Sequence, residues 1–397
     1  MTLNDRERAV LAWLADRHDA MTDLLAEIVA IDSGSRDKPG IDRVGAVLRR
    51  SLAGAGIPAR VIAHAHHGDN LLAELPGDVP GGHALLLGHM DTVFPAGTAA
   101  ERPFRIADGV ATGPGVADMK AGLVMNLFVA QAFAATGGAP MPLSLLCTGD
   151  EEIASPVSRP VIEAAARGAA LVLNAEPGRA SGNVVTRRKG ALFLRVAITG
   201  RAAHSGVEPG KGASAIDAMA RKILKLHALQ DLAAGTTVNV GLASGGVTVN
   251  TVAPQAGLEI DVRFRDHAAM RAVRQAIEAI VSEDEPAGTR ARIVDEAGFL
   301  PLVESEAGRT LFSLYETCAR DVGFSVEGEF TGGSADSGFT ASVGAPTLCA
   351  TGPVGGGAHT PEEYCRLDTM VPRAQAAALT ILRASSSRAS QTQVSLA

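Results

Sequence analysis

The sequence predicts an α/β protein, a mostly parallel sheet covered by helices on both faces and interrupted by an inserted α+β unit. Three observations carry that prediction. Short apolar strands alternate with helical segments from about residue 40 to 174; from about 190 to 294 the strands lengthen and alternate apolar with polar; and Pro346-Thr-Leu-Cys-Ala350 then returns to the first pattern.

The elements follow in order. Residues 5 to 32 carry Val10, Leu11, Leu14, Met21, Leu24, Leu25, Ile28 and Val29 at intervals of three and four, the spacing of a helix face, and Asp32-Ser-Gly-Ser ends the segment. A helix near 41 to 54 precedes strands at 59 to 63 and 70 to 75 and the buried run Ala84-Leu-Leu-Leu87. A helix over roughly 120 to 135, a strand at 143 to 147, a helix at 158 to 167 and a strand at 170 to 174 complete the first part. Residues 191 to 198 then alternate as a half-buried strand does, followed by a helix at about 212 to 228, strands at 236 to 242, 246 to 250 and 256 to 265, a helix near 267 to 282 and a strand at 289 to 294. Helix resumes at 307 to 321. The expected division is 1–187 and 298–385 for one domain, 188–297 for the insertion, and 386–397 as a polar, disordered tail.

Composition narrows the function classes. The chain has 397 residues, 46% hydrophobic, with 36 Lys plus Arg against 43 Asp plus Glu and a net charge of -7. No basic run exceeds Arg187-Arg-Lys189, which argues against nucleic acid as a partner. Charges punctuate the N-terminal apolar positions, unlike a signal peptide or a membrane span, so a cytoplasmic protein is expected. Cys147, Cys318, Cys349 and Cys365 have no C-x-x-C spacing and read as buried thiols.

Chemistry gathers where strands end. "GHMDTVFP" (88–95) leaves the apolar run with His89 and Asp91 two residues apart, on one face of a strand. Alone, such a pair is commonly structural. Asp118 lies in a glycine-rich turn before a helix, Asp150, Glu151 and Glu152 directly follow the strand at 143 to 147, and Glu176 follows the strand at 170 to 174. In an open parallel sheet these ends form the ligand-binding rim. So many carboxylates need positive charge, and Lys120 is the one basic side chain in these segments, which makes divalent metal the natural counter-ion. Imidazole with carboxylate and no thiolate suits zinc, with manganese or cobalt as substitutes. His359, beyond the glycines 355 to 357, offers a second imidazole from the resumed first domain. Adjacent residues at a strand end diverge, so Glu151 and Glu152 suit different tasks, one on metal and one facing substrate.

The ordered segments "GHMDTVF", "GPGVADMKAG", "TGDEEIAS", "NAEPG", "TGRAAHSGVEPGKGASAI", "NTVAP", "DVRF", "TGGSADSG" and "GAHTPEEY" resemble the M20 family of dinuclear zinc amidohydrolases and exopeptidases, of the glutamate carboxypeptidase (carboxypeptidase G) type. The resemblance spans about 20 to 380 and implies a metallopeptidase catalytic domain with an inserted lid and dimerisation domain. It implies two divalent ions: Asp118 bridging both, His89 and Glu176 on one, Glu152 and His359 on the other. Asp91 would orient His89 from behind, Glu151 would be the general base, and a cis peptide would follow Asp118. His204 would reach the active site of the partner subunit in a homodimer and polarise the scissile carbonyl, and Asn250 and Arg263 would contact substrate.

One departure bears on substrate. Carboxypeptidase G has an arginine in a Gly-Arg-Pro stretch where this chain has Gly298-Phe-Leu-Pro301, so Arg309 or Arg263 takes its place or the substrate differs. The expected reaction is hydrolysis of a C-terminal peptide or N-acyl amide bond in a small substrate. The alternatives are an N-acyl amino acid deacylase or aminohydrolase and, from another class, a catalytically silent binding protein. His64-Ala-His-His67 reads as solvated surface and Arg187-Arg-Lys189 as a solvated hinge.

Overall fold

The computed structural model describes residues 3–78 and 82–395. Two compact units form, one from Met1–Arg187, Glu304–Phe330 and Phe339–Ala397, the other from Arg188–Val303 and Thr331–Gly338.

The first unit is built on an eight-stranded sheet in the order Ala59–Ile62, Asn70–Leu75, Leu143–Thr148, His83–His89, Ala169–Asn174, Thr347–Cys349, Val184–Arg188, Gly328–Thr331. The four strands from Leu143–Thr148 to Thr347–Cys349 run parallel, and antiparallel strands extend the sheet on either side. Strand His83–His89 is buried along all but its first residue, the pattern of a strand covered on both faces. The stretch Val116–Ala135 is apolar and long enough to cross a membrane, yet 94% of its most apolar window is buried inside the protein, so it reads as a core helix. The N-terminal helical stretch divides into Asp5–Ala15 and His18–Val29, each burying its own apolar residues.

Glycine decides where the core helix lies. A Cβ on Gly122 would sit 1.9 Å from the carbonyl oxygen of Ala175, so the first turn of helix Ala121–Ala135 packs backbone to backbone against the end of strand Ala169–Asn174. That contact places the turn carrying Asp118 beside the segment carrying Glu176. A second device escaped the periodicity analysis because its strands have only two or three residues. Gly355–Gly356, Tyr364–Arg366, Val110–Thr112 and Arg105–Ala107 form a small antiparallel sheet. It pairs the arm that follows His359 with the arm that precedes Asp118.

The second unit is a four-stranded antiparallel sheet, ordered Thr237–Gly245, Gln255–Phe264, Gly190–Thr199, Arg290–Phe299, with helices Ala215–His227 and His267–Ser282. Its core includes Val196, Ile198, Ile260, Val262, Phe264 and Ile277. Ser214 and Asp266 cap the two helices through hydrogen bonds from backbone N–H groups.

Three expectations need correction. Residues 246 to 250 form no strand: Gly246 has φ +80°, and the hydroxyl of Thr248 bonds the side chains of Asn250 and Thr251, local bonds that replace ladder pairing. Arg188 is no solvated hinge, for its buried guanidinium donates to the carbonyls of Ser334 at 3.0 Å and Gly333 at 3.5 Å. The last helix runs Met370–Ser395, through most of the tail expected to be disordered, with no glycine or proline after Pro372 to stop it; residues 396 and 397 lie outside the described ones.

Gly122→Ala is expected to cost about 1–3 kcal/mol through overpacking, read as a lowered urea midpoint with unchanged slope. An unshifted midpoint would mean that the helix slides without penalty.

Candidate metal centre

The centre is assembled in the first unit from the ends of three parallel strands, the glycine-rich turn and the loop after Gly357. His89 closes its strand with Nδ1 at 3.0 Å from the main-chain oxygen of Asp91 and 3.4 Å from Asp91 Oδ1. The backbone carbonyl is thus the nearer orienting group. The Asp91 carboxylate, itself fully buried, accepts from Ser35 Oγ at 2.7 Å and from the N–H groups of Glu151 and Glu152 at 3.0 Å each. It thereby fixes the turn that presents both glutamates, besides facing the imidazole.

Asp118 is held from below by a residue the sequence reading passed over. Glu363, buried, accepts N–H bonds from Gly115 at 2.8 Å and from Ala117 and Asp118 at 2.9 Å each. Because Glu363 is four residues beyond His359, this clamp joins the two loops that carry both candidate ligands. Its only sequence signal was a second glutamate in "PEEY". The Asp118–Met119 peptide is cis, and His359 has φ +65°, in the left-handed region.

The two oxygens of Asp118 face different imidazoles. Oδ1 is 3.3 Å from His89 Nε2, and Oδ2 is 3.5 Å from His359 Nε2. Around His89 Nε2 also stand Glu176 Oε1 and Glu151 Oε2, each at 3.9 Å, while Glu152 Oε2 is 3.2 Å from His359 Nε2. Tetrahedral bonds of about 2.0–2.1 Å set donor atoms roughly 3.4 Å apart, and these separations bracket that value. His89, Asp118 and Glu152 each offer one ligand atom within 4.8 Å of the others. His89 Nε2 and Glu152 Oε1 are buried without a hydrogen-bond partner. Buried polar atoms left in that condition are costly, and a cation satisfies both.

Electrostatics point the same way. Against burial, which raises it, the imidazoles of His359 and His89 hold Asp118 well below the carboxylate range. Burial, with the charges of Asp118 and Asp91 close by, pushes Glu152 up to about 7. Asp118 and Glu152 raise His359 to about 10. Burial pulls His89 down, but Asp118, Asp91, Glu151 and Glu176 prevail and raise it well above its ordinary value. Lys120 offers little compensation: burial draws it down to about 7, and its ammonium is committed to the Ile31 carbonyl at 2.9 Å. Carboxylates outnumber cations in a pocket that is buried around His89 and open at His359, and a divalent ion suits that imbalance.

The other candidate residues lie in the second unit. His204 is exposed, and its Nδ1 accepts from the N–H groups of Gly206 and Val207 at 3.2 Å each, which leaves the proton on Nε2 as a donor. Asn250 adjoins it, its carbonyl accepting from Ser205 N at 3.0 Å. Arg263 is already engaged: its fork bonds Asp261 at 2.8 and 2.7 Å and Ser334 at 3.2 Å. In the first unit, Arg309 pairs with Glu304 at 3.3 Å on an exposed helix end.

Residues 85–383 match the sequence signature of Peptidase family M20/M25/M40. The chain belongs to this family. Its known members include carboxypeptidase G2 of Pseudomonas sp. (strain RS-16), 28% identical over 384 residues, covering 95% of this chain and 92% of the relative. The acetylornithine deacetylase of Yersinia pseudotuberculosis serotype O:1b (strain IP 31758) is 29% identical over 264 residues, 61% of this chain and 67% of the relative. The fold matches that of the Bacillus subtilis YXEP protein, a dinuclear metal binding peptidase from the M20 family, with TM-score 0.65 and 15% identity over 93% of this chain and 98% of that one. M20 members are hydrolases, and the catalytic-plus-inserted architecture of the family is the one seen here.

Glu363→Gln replaces one oxygen by a donor that faces a backbone N–H. Metal affinity is expected to fall about 10–100-fold, measured by chelator competition. Unchanged affinity would show that the loops hold without the clamp.

Proposed function

We propose that this chain is a metal-dependent hydrolase that cleaves a C-terminal peptide or N-acyl amide bond of a small substrate. The observation that carries the reading is the division of the Asp118 oxygens between His89 and His359, the arrangement a bridging carboxylate requires. In this reading His89 and Glu176 hold one ion, Glu152 and His359 the other, and zinc is the metal that the donor set favours, with manganese or cobalt able to replace it. Bound ions would supply Lewis acidity and make a water a stronger acid at neutral pH.

The chain's own residues do the rest. Asp91 and the carbonyl behind His89 fix the ring. Glu151, whose backbone is pinned to Asp91 and whose carboxylate reaches the same pocket, takes a proton from the attacking water and returns it to the leaving amine. His204, with its Nε2 proton directed away from the loop bonds, donates to the oxygen of the scissile carbonyl, contributed from the partner of a homodimer. Asn250 braces that loop.

Support for the dimer comes from the second unit's outer strand Thr237–Gly245, which pairs on one side only and ends among exposed apolar side chains, Leu242 at 63%, Val247 at 75% and Val249 at 105%. A cytoplasmic setting accords with four buried cysteines that form no disulfide among the described residues. A second reading, an N-acyl amino acid deacylase, is favoured by the likeness to acetylornithine deacetylase; turnover of N-acyl amino acids against dipeptides and folyl-glutamate separates the two.

Glu151→Gln should retain two metal ions per chain by elemental analysis and lose activity by about 10²–10⁴-fold; full activity in that variant would remove Glu151 from the mechanism. Leu242→Asp combined with Val249→Asp should convert the dimer to a monomer by light scattering and depress turnover with it. A fully active monomer would overturn the role given to His204.

A further inference from the structure

A cavity of about 610 Å³ opens in the first unit beside Glu152, lined by Ser35, Arg36, Thr92, Val93 and Phe94 among others. That volume falls within the range of small-molecule sites. Arg36 is the one cation on its wall; its side chain is exposed and, among the described residues, makes no hydrogen bond or ion pair. Its neighbours are all committed. Ser35 donates to Asp91 at 2.7 Å, Ser35 N and Thr92 N bond Thr92 O and Ser33 O at 3.1 and 2.9 Å, and Asp37 caps helix Lys38–Gly54. The loop that carries Arg36 is therefore fixed through the same carboxylate, Asp91, that pins the N–H of Glu152. Besides the carboxylates of Asp37 and Glu152, apolar groups line the wall: Val93 is 42% exposed, and the Phe94 ring is backed by the Arg102 guanidinium at 4.6 Å.

An uncommitted guanidinium on a rigid loop beside an apolar ledge is a site for an apolar body that ends in a carboxylate, which an arginine fork binds through two parallel hydrogen bonds. The need for such a cation is acute here, because carboxylates crowd the adjoining centre and repel an anion. We propose that Arg36 is a specificity-determining residue that holds a substrate carboxylate in this cavity, so that the preferred substrates are amides bearing a free carboxylate. This rests on the hydrolase reading. It also gives the chain an arginine for the task without calling on Gly298–Pro301, Arg263 or Arg309.

The test compares wild type, Arg36→Met and Arg36→Lys on matched substrates: an N-acyl amino acid with free α-carboxylate against its carboxamide, and an N-succinyl amine against its N-acetyl counterpart. The first pair reports a carboxylate on the leaving amino acid, the second one on the acyl side. Arg36→Met should lower kcat/KM about 10–100-fold, mainly through KM, for the carboxylate member of one pair. Its neutral counterpart should stay within about threefold, and Arg36→Lys should recover part of the loss. Equal losses on both members, or on neither, would overturn the proposal. Metal content and thermal midpoint of the variants, expected unchanged, check that the fold is intact. A wild type that binds metal yet turns over none of the four substrates would refute the hydrolase reading instead. Calorimetric titration with glutarate then tests Arg36 alone: binding lost in Arg36→Met supports the carboxylate site, and equal or absent binding rejects it.

Discussion

Asp118 lies between His89 and His359 with one oxygen turned to each, and much of the first unit can be understood as the means of keeping it there. A largely buried carboxylate is unfavourable unless charge and hydrogen bonds meet it from several sides. Here the N–H groups of its own turn are directed to Glu363, the backbone approach at Gly122 sets the height of that turn above the sheet, and the small antiparallel sheet draws the His359 loop alongside. Each device is modest on its own. Together they hold two oxygens in two directions with little freedom to turn.

Negative charge is the common element of the pocket. Glu151, Glu152 and Glu176 join Asp118 and Asp91 around two imidazoles; the excess of negative charge raises His89 and His359, and burial, with Asp118 and Asp91 adding to it, raises Glu152. Coulomb repulsion of this kind is tolerated where it is relieved in function, which is why perturbed groups gather at working sites. The carboxylate site proposed at Arg36 lies on the loop at 33–37, at the margin of this negative charge rather than within it.

The sequence showed most of this centre because strand ends are easy to find. An apolar run followed by His89, or by Glu151 and Glu152, locates a rim, and the rim of a parallel sheet is shared. What stayed hidden depended on contacts across long chain separations. Glu363 acts on residues nearly 250 positions away, and nothing in "PEEY" announces which glutamate is buried. Arg188 looked solvated within a basic triplet, yet carbonyls at 333 and 334 draw it inside. Two-residue and three-residue strands carry too little periodicity to register, so the pairing that aligns the His359 loop was invisible. Conversely, the apolar alternation at 246 to 250 promised a strand where hydroxyl and amide side chains close a turn.

The second unit takes in Thr331–Gly338 as well as Arg188–Val303, so the chain passes between the units four times. An inserted domain joined by two links behaves as a cassette that can be cut out, exchanged between proteins or expressed alone. This one does not have that modularity. A fragment ending at Val303 would lack the carbonyls of Gly333 and Ser334 that satisfy buried Arg188, and the Ser334 hydroxyl that bonds Arg263 and the Lys189 carbonyl. The two parts of the protein are thus bound to a shared inheritance: gene fusions, truncations and domain swaps at the obvious boundary would sever a contact encoded some thirty residues downstream of it.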